Sequence, residues 1–167
     1  RPMKYVKKLL AVALAAVLAL SMFTACGKEK VPVDLQTSRE ILETINARRS
    51  AGGMQTLTLS EDASLPLGNW AKAAAESTQK GAKAVEEAAR SAARKAVTEM
   101  KIDGKAVFVY DTYTFYNVSG AEQVARELQE HPNYFITAGE EAGNYAAVAS
   151  YSDGEKAAVV VMLLKVK

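Results

Sequence analysis

The chain holds one cysteine and one histidine among its 167 residues. A single cysteine rules out an intrachain disulfide, so the fold must rest on packing. Closed zinc sites need several Cys and His donors, and Cys26 and His131 cannot supply them. The expectation is therefore no metal and no cofactor. A Ser-His-acid site would have to use His131, and no nucleophile elbow of the form GxSxG occurs. No glycine-rich phosphate loop occurs either. A basic surplus is missing too, although the formal charge is +2. Four of the 21 Lys and Arg (Arg1, Lys4, Lys7 and Lys8) precede Cys26 with no acid among them, which leaves 17 basic against 19 acidic residues beyond it. That balance argues against nucleic acid as a partner.

What the sequence does have begins at its start. Lys4, Lys7 and Lys8 precede an unbroken Leu/Ala/Val run from Leu9 to Leu20, and small Thr24 and Ala25 then precede Cys26. A basic start, an apolar stretch and a small-residue cleavage site make a secretory signal. The ending "FTAC" resembles the bacterial lipobox, with Phe23 where leucine is usual. The resemblance implies removal of residues 1–25 and lipidation of Cys26. The bland alternative is a membrane-anchoring helix with a structural cysteine. Acyl chains contribute about 0.8 kcal/mol per buried methylene. The expected location is the outer face of a bacterial membrane. Residues 26–36, "CGKEKVPVDLQ", read as a polar tether in which Pro32 blocks helix formation.

The domain is expected over residues 37–167. "TSREILETINARRSAGG" has a capping box, Thr37 with Glu40, an apolar stripe at Ile41, Leu42 and Ile45, and a stop at Gly52-Gly53. Ser60 is the next N-cap, with Trp70, Ala73, Ala74 and Ser77 on one helical face. A second stripe runs through Ala84, Val85, Ala88, Ala92, Ala96 and Met100, with Gly81 as the break between two helices. Glu86 stands four before Arg90, so Lys80, Lys83, Arg90, Arg94 and Lys95 read as a solvated face. "KAVFVYDTYTFY" reads as a strand. Strict alternation sends Val107, Val109, Tyr113 and Phe115 one way, and Ala106, Phe108, Tyr110 and Tyr116 the other. Ser119 and Glu122 suggest another capping box. Ser152-Asp153-Gly154 turns a C-terminal hairpin whose second strand, Val159 to Leu164, should be central. The fold class expected is α+β, an α-β-α sandwich with a small antiparallel sheet between helical layers.

"ILETINARRSAGGMQTLTLSEDASL" resembles the opening of CAP domains (cysteine-rich secretory proteins, antigen 5, pathogenesis-related 1). The resemblance rests on Ile41, Leu42, Asn46, Arg49, Gly52, Leu57 and Leu59, and extends to the C-terminal "AEQVARELQEHPNYFITAGEEAGNYAAVASYSDGEKAAVVVMLL". The family's metal-binding groove uses two histidines and acidic residues. Here no histidine precedes His131. "GKA", Gly104-Lys105-Ala106, stands where "GEN" is usual, and "HPNY" stands where "SPGH" is usual, with Tyr134 at the histidine. The resemblance thus implies a non-catalytic domain whose candidate groove holds Tyr134, His131, Lys105 and Tyr110. Its ligand would be cell-wall material, a peptide or a protein.

Two other readings stay open. One is an unrelated α+β envelope lipoprotein, a substrate-binding or assembly factor. The other is a hydrolase using carboxylates such as Glu86-Glu87 or Glu140-Glu141. His131 itself reads as the end of a helix before Pro132, with Glu130 nearby. Tyr110, Tyr113, Tyr116, Tyr134, Phe135, Tyr145 and Tyr151 read mainly as sheet residues packed under helices.

Overall fold

The computed structural model describes residues 29–77, 82–136 and 143–167. The chain divides into two compact units, Arg1–Lys30 and Val31–Lys167. The expectations for the signal segment, Cys26, Lys80, Gly81 and the Glu140-Glu141 pair lie outside the described residues. The second unit carries the fold. It starts at Val31, so the stretch read as tether is part of the domain from there on.

Helix α1 spans Leu35–Ala51. Asp34, not Thr37, is its N-cap, and its carboxylate accepts from the amides of Gln36 and Thr37. Thr37 adds a hydroxyl bond to the same carboxylate at 2.8 Å. That hydroxyl and the two amides hold Asp34 below the usual carboxylate range. Gly52 closes the helix and Gly53 follows in the left-handed region at φ 74°. Strand β1 (Thr58–Leu59) leads to Ser60, whose side chain caps α2 (Glu61–Ser64) as expected. A 3-10 turn, Leu65–Leu67, then runs into α3 (Gly68–Ala75).

Helix α4 spans Ala82–Thr98, and its buried residues are Ala89, Ala93 and Val97. This corrects the stripe read from sequence: Ala84, Val85, Ala88 and Ala92 are exposed. Alanine recurs around the helix, so several stripes look equally apolar. Packing on α3 and the sheet selects one of them. Arg90 pairs with Glu87, three residues back, at 2.6 Å rather than with Glu86. Glu86 instead accepts from the Tyr116 hydroxyl at 2.6 Å. Burial, then this bond to a carboxylate, pushes the Tyr116 phenol up to about 12.

Strands β2 (Lys101–Ile102) and β3 (Lys105–Tyr116) meet at a tight turn where Gly104 has φ 74°. Helix α5 is Ala121–Glu130. Gly120 is its N-cap position, and Gln123, not Glu122, reaches back to the Ser119 amide at 2.6 Å. Strands β4 (Tyr145–Ser152) and β5 (Ala157–Val166) form the expected hairpin. Asp153 holds its turn by accepting from the Glu155 and Lys156 amides.

The sheet has five strands in the order β1-β4-β5-β3-β2. It is mixed: β1 runs parallel to β4, and the other pairs are antiparallel. This corrects the expectation of a purely antiparallel sheet, and the class is α+β. β5 is central, and Val159 to Leu164 are all buried. Alternate residues of β4 and β5 enter two cores. Ala147, Ala149, Val160 and Met162 pack with Trp70 and with Ala93 of α4. Ala146, Val148, Val161 and Leu163 pack with Ile41 and Ile45 of α1 and Val124 of α5.

Strand β3 departs from strict alternation. Val107 and Val109 join the first core, whereas Tyr113 and Phe115 join the second. A bulge explains the switch. Val109 pairs with Leu164 and Asp111 with Leu163, so Tyr110 is the extra residue. One inserted residue changes the parity of everything after it. Phe108, Tyr110 and Tyr116 are left exposed, which corrects the expectation of cover on both faces of this strand.

β1 is only two residues long, so β4 needs other partners beyond it. Two buried serines provide them. Ser38 of α1 donates to the Val148 carbonyl at 2.7 Å, and the Val148 amide donates to Ser64 at 3.0 Å. Both polar groups of that buried residue are thereby satisfied.

Candidate functional site

The "HPNY" stretch ends α5. His131 is the C-cap, and its amide still donates to the Glu127 carbonyl. Pro32-like constraints recur here: Pro132 disfavours helix in the residue before it, and the chain turns so that the Tyr134 amide meets the His131 carbonyl at 3.1 Å. The turn stacks the His131 ring on Tyr134, with centroids 4.6 Å apart and planes 12° apart. Tyr134 also touches Tyr113 and Phe115 across the second core, at 5.7 and 6.1 Å. Phe135 then takes φ 61°, which is rare for a bulky residue.

Buried Arg49 holds that conformation. Its Nε donates to the Gln55 carbonyl at 2.8 Å and its Nη1 to the Phe135 carbonyl at 2.7 Å. Only 1% of the residue is exposed. No carboxylate pairs with it among the described residues, and its Nη2 has no acceptor there. Burial pulls its pKa below the usual arginine range. Beside it, burial and then Asp111 push the Tyr113 phenol up. Asn46 has a similar tying role, since its side chain both donates to and accepts from the Leu57 backbone. Two of the residues on which the CAP resemblance rests, Asn46 and Arg49, thus fasten loops to α1.

Arg48 lies one residue earlier and reaches the Pro132 carbonyl from α1. It lines an open groove of about 300 Å³ between α1 and α5, with Thr44, Ala47, Ala125, Leu128 and Gln129. That volume is at the small end for ligand pockets. The Arg48 Nε is buried and has no acceptor among the described residues. The groove is thus a mostly apolar trough with one cationic side chain in its lining, whose guanidinium also reaches the "HPNY" turn. Nothing in the linear pattern marked Arg48. Its only signal is a basic residue in the last turn of an amphipathic helix.

The four residues expected in one groove do not come together. His131 and Tyr134 stack on each other, but neither lines the groove. Lys105 is the first residue of β3, eight positions before Tyr113, which is roughly 25 Å along a strand. Tyr110, 41% exposed, sits in the bulge between them.

One grouping was not legible as a motif. Glu127, Glu130 and His131 bring one ligand atom each within 4.8 Å of one another. His131 Nε2 lies 3.9 Å from Glu127 Oε2. A divalent cation can be held by such donors. Here Glu130 and His131 are exposed, and nothing buried fixes the ligands. The carboxylate pair Glu86-Glu87 is engaged elsewhere, one member with Tyr116 and the other with Arg90.

Among the described residues no helix is long and apolar enough to cross a membrane. Compared with protein-family models, curated proteins and solved structures, the chain gives no match in any of the three.

Proposed function

We propose that this chain is a bacterial surface lipoprotein, anchored through Cys26 at the outer face of the membrane, whose domain binds a ligand and does not catalyse. The observation that carries the binding reading is the mostly apolar α1–α5 groove, which the Arg48 side chain helps to line. The guanidinium's chemistry suits a carboxylate or a carbonyl, as found in peptides and cell-wall material. The lipobox-like "FTAC" carries the anchoring reading.

The degenerate CAP reading belongs to the same proposal. It requires the C-terminal hairpin and "KAVFVYDTYTFY" in one antiparallel arrangement with helices on both faces. The β4-β5-β3 core of the sheet supports it. So do the two clusters that share alternate residues of β4 and β5, which favour a three-layer α-β-α sandwich. The parallel β1 is an addition to that plan.

Co-sedimentation of the protein with purified cell-wall material, and titration with peptides, test the binding reading. Ala47→Trp fills the groove from an exposed position. It should abolish binding while the circular dichroism stays native. Unchanged binding in Ala47→Trp would remove the groove from the proposal. Robust hydrolysis of either substrate would overturn the non-catalytic reading.

A further inference from the structure

The first residues of the domain are clamped to one place. The Val31 amide donates to Asn69 Oδ1 at 2.8 Å. A Cβ on Gly68 would sit 2.2 Å from the Val31 carbonyl oxygen, so only glycine lets the segment lie that close. Val33 packs into the first core, and Asp34 caps α1. The chain therefore leaves the folded body at a fixed point, against the first turn of α3.

Only four residues, 27–30, separate Cys26 from Val31. Fully extended, five such steps span about 17 Å. A lipid on Cys26 would keep the Val31 exit within that distance of the bilayer. Exposed apolar side chains lie beside the exit. Leu65 is 52% exposed, one of the few large apolar side chains so placed. Its carbonyl accepts from the Gly68 amide, so it stands one turn from the clamp. Exposed Pro32 lies beside Val31. Exposed Glu29 and Asp34 are the acids that flank the segment in the chain, and Glu61 is paired with Arg39.

From this we infer that the corner formed by Pro32, Leu65 and the start of α3 is the membrane-facing surface of the domain, and that its occupant is the lipid surface that holds the anchor. The inference rests on the lipoprotein reading. Tethering at this range raises the effective concentration of the bilayer at the corner, so a small apolar contact suffices. It also fixes polarity. Ser38 and Ser64 tie α1 and α2 to β4 at the β1 side of the sheet. The far edge, β3 with β2, then carries exposed Phe108 and Tyr110 away from the lipid.

The test uses the full chain, processed and lipidated, in phosphatidylcholine vesicles containing a headgroup-bound quencher. A fluorophore is placed on Leu65→Cys or on Lys105→Cys. Acylated Cys26 takes no label. Quenching at position 65 should exceed that at position 105 several-fold. A twenty-residue Gly-Ser insertion between Lys30 and Val31 should erase the difference. Equal quenching at both positions, or a difference that survives the insertion, overturns the inference. The wild-type chain reads the anchor separately. If it fails to float with vesicles and its Cys26 takes label, the lipoprotein reading falls and the docking with it. If it floats unlabelled but quenching is equal, the docking alone falls.

Discussion

Ser64 shows how much one hydroxyl can hold. It donates to the Ser60 carbonyl at 2.7 Å and accepts from the Val148 amide at 3.0 Å. Ser64→Ala leaves that buried amide unpaired, at a cost of about 1–3 kcal/mol. Urea unfolding should report a loss of that size, with the slope unchanged. Tyr116 sets a pH limit. Its pKa is 10.0 in an unfolded reference and about 12 in the fold. Between those values the unfolded chain gives up the proton first, so stability declines as pH rises through the window. Below pH 10 the contribution is fully present. Tyr116→Phe should flatten the decline in part, because Tyr113 and Tyr145 are raised too. An unchanged alkaline profile would remove Tyr116 from it.

At the scale of elements, the β3 bulge makes the sharpest prediction. Val109 and Asp111 already pair with adjacent residues of β5. Deleting Tyr110 straightens the strand and leaves Tyr113 and Phe115 facing the second core. Deleting Thr114 instead carries Phe115 to the other face. The first variant should fold cooperatively and the second should not, by thermal melts followed with near-ultraviolet circular dichroism. The bulge also explains why β3 read only partly correctly. Its existence was legible from β-branched and aromatic residues, but one extra residue is invisible to a period of two. Helix α4 failed for a related reason. Ala88 and Ala89, or Ala92 and Ala93, are chemically interchangeable, and only the neighbouring helix and sheet choose between them. The caps divide in the same way. Ser60 was legible, whereas Asp34 displaced Thr37 because the chain from Val31 already lies on α3 and starts the helix earlier.

At the scale of the molecule, the proposed anchoring and the proposed binding make separate predictions. Cys26→Ala should shift the protein from membranes to the medium, or leave the signal uncut. Membrane retention with unchanged acyl labelling would sink the lipidation reading. Groove binding should persist in the released protein, since the groove lies on the second core and the tether exit on the first.

The sequence by itself determined what is local or compositional. One cysteine at a lipobox-like position, the absence of a basic surplus, the hairpin turn at Ser152–Gly154 and the central place of β5 all follow from residue type and short-range pattern. Tertiary structure alone decided the parallel β1, the phase of α4, the bulge in β3 and the membership of the groove. Each depends on which surfaces meet, and short-range periodicity carries no record of that. Tyr134 and His131 could be picked out by eye because they are unusual. Arg48 and Arg49, the residues that shape the site, look like any helix end until α5 and the Phe135 carbonyl arrive beside them.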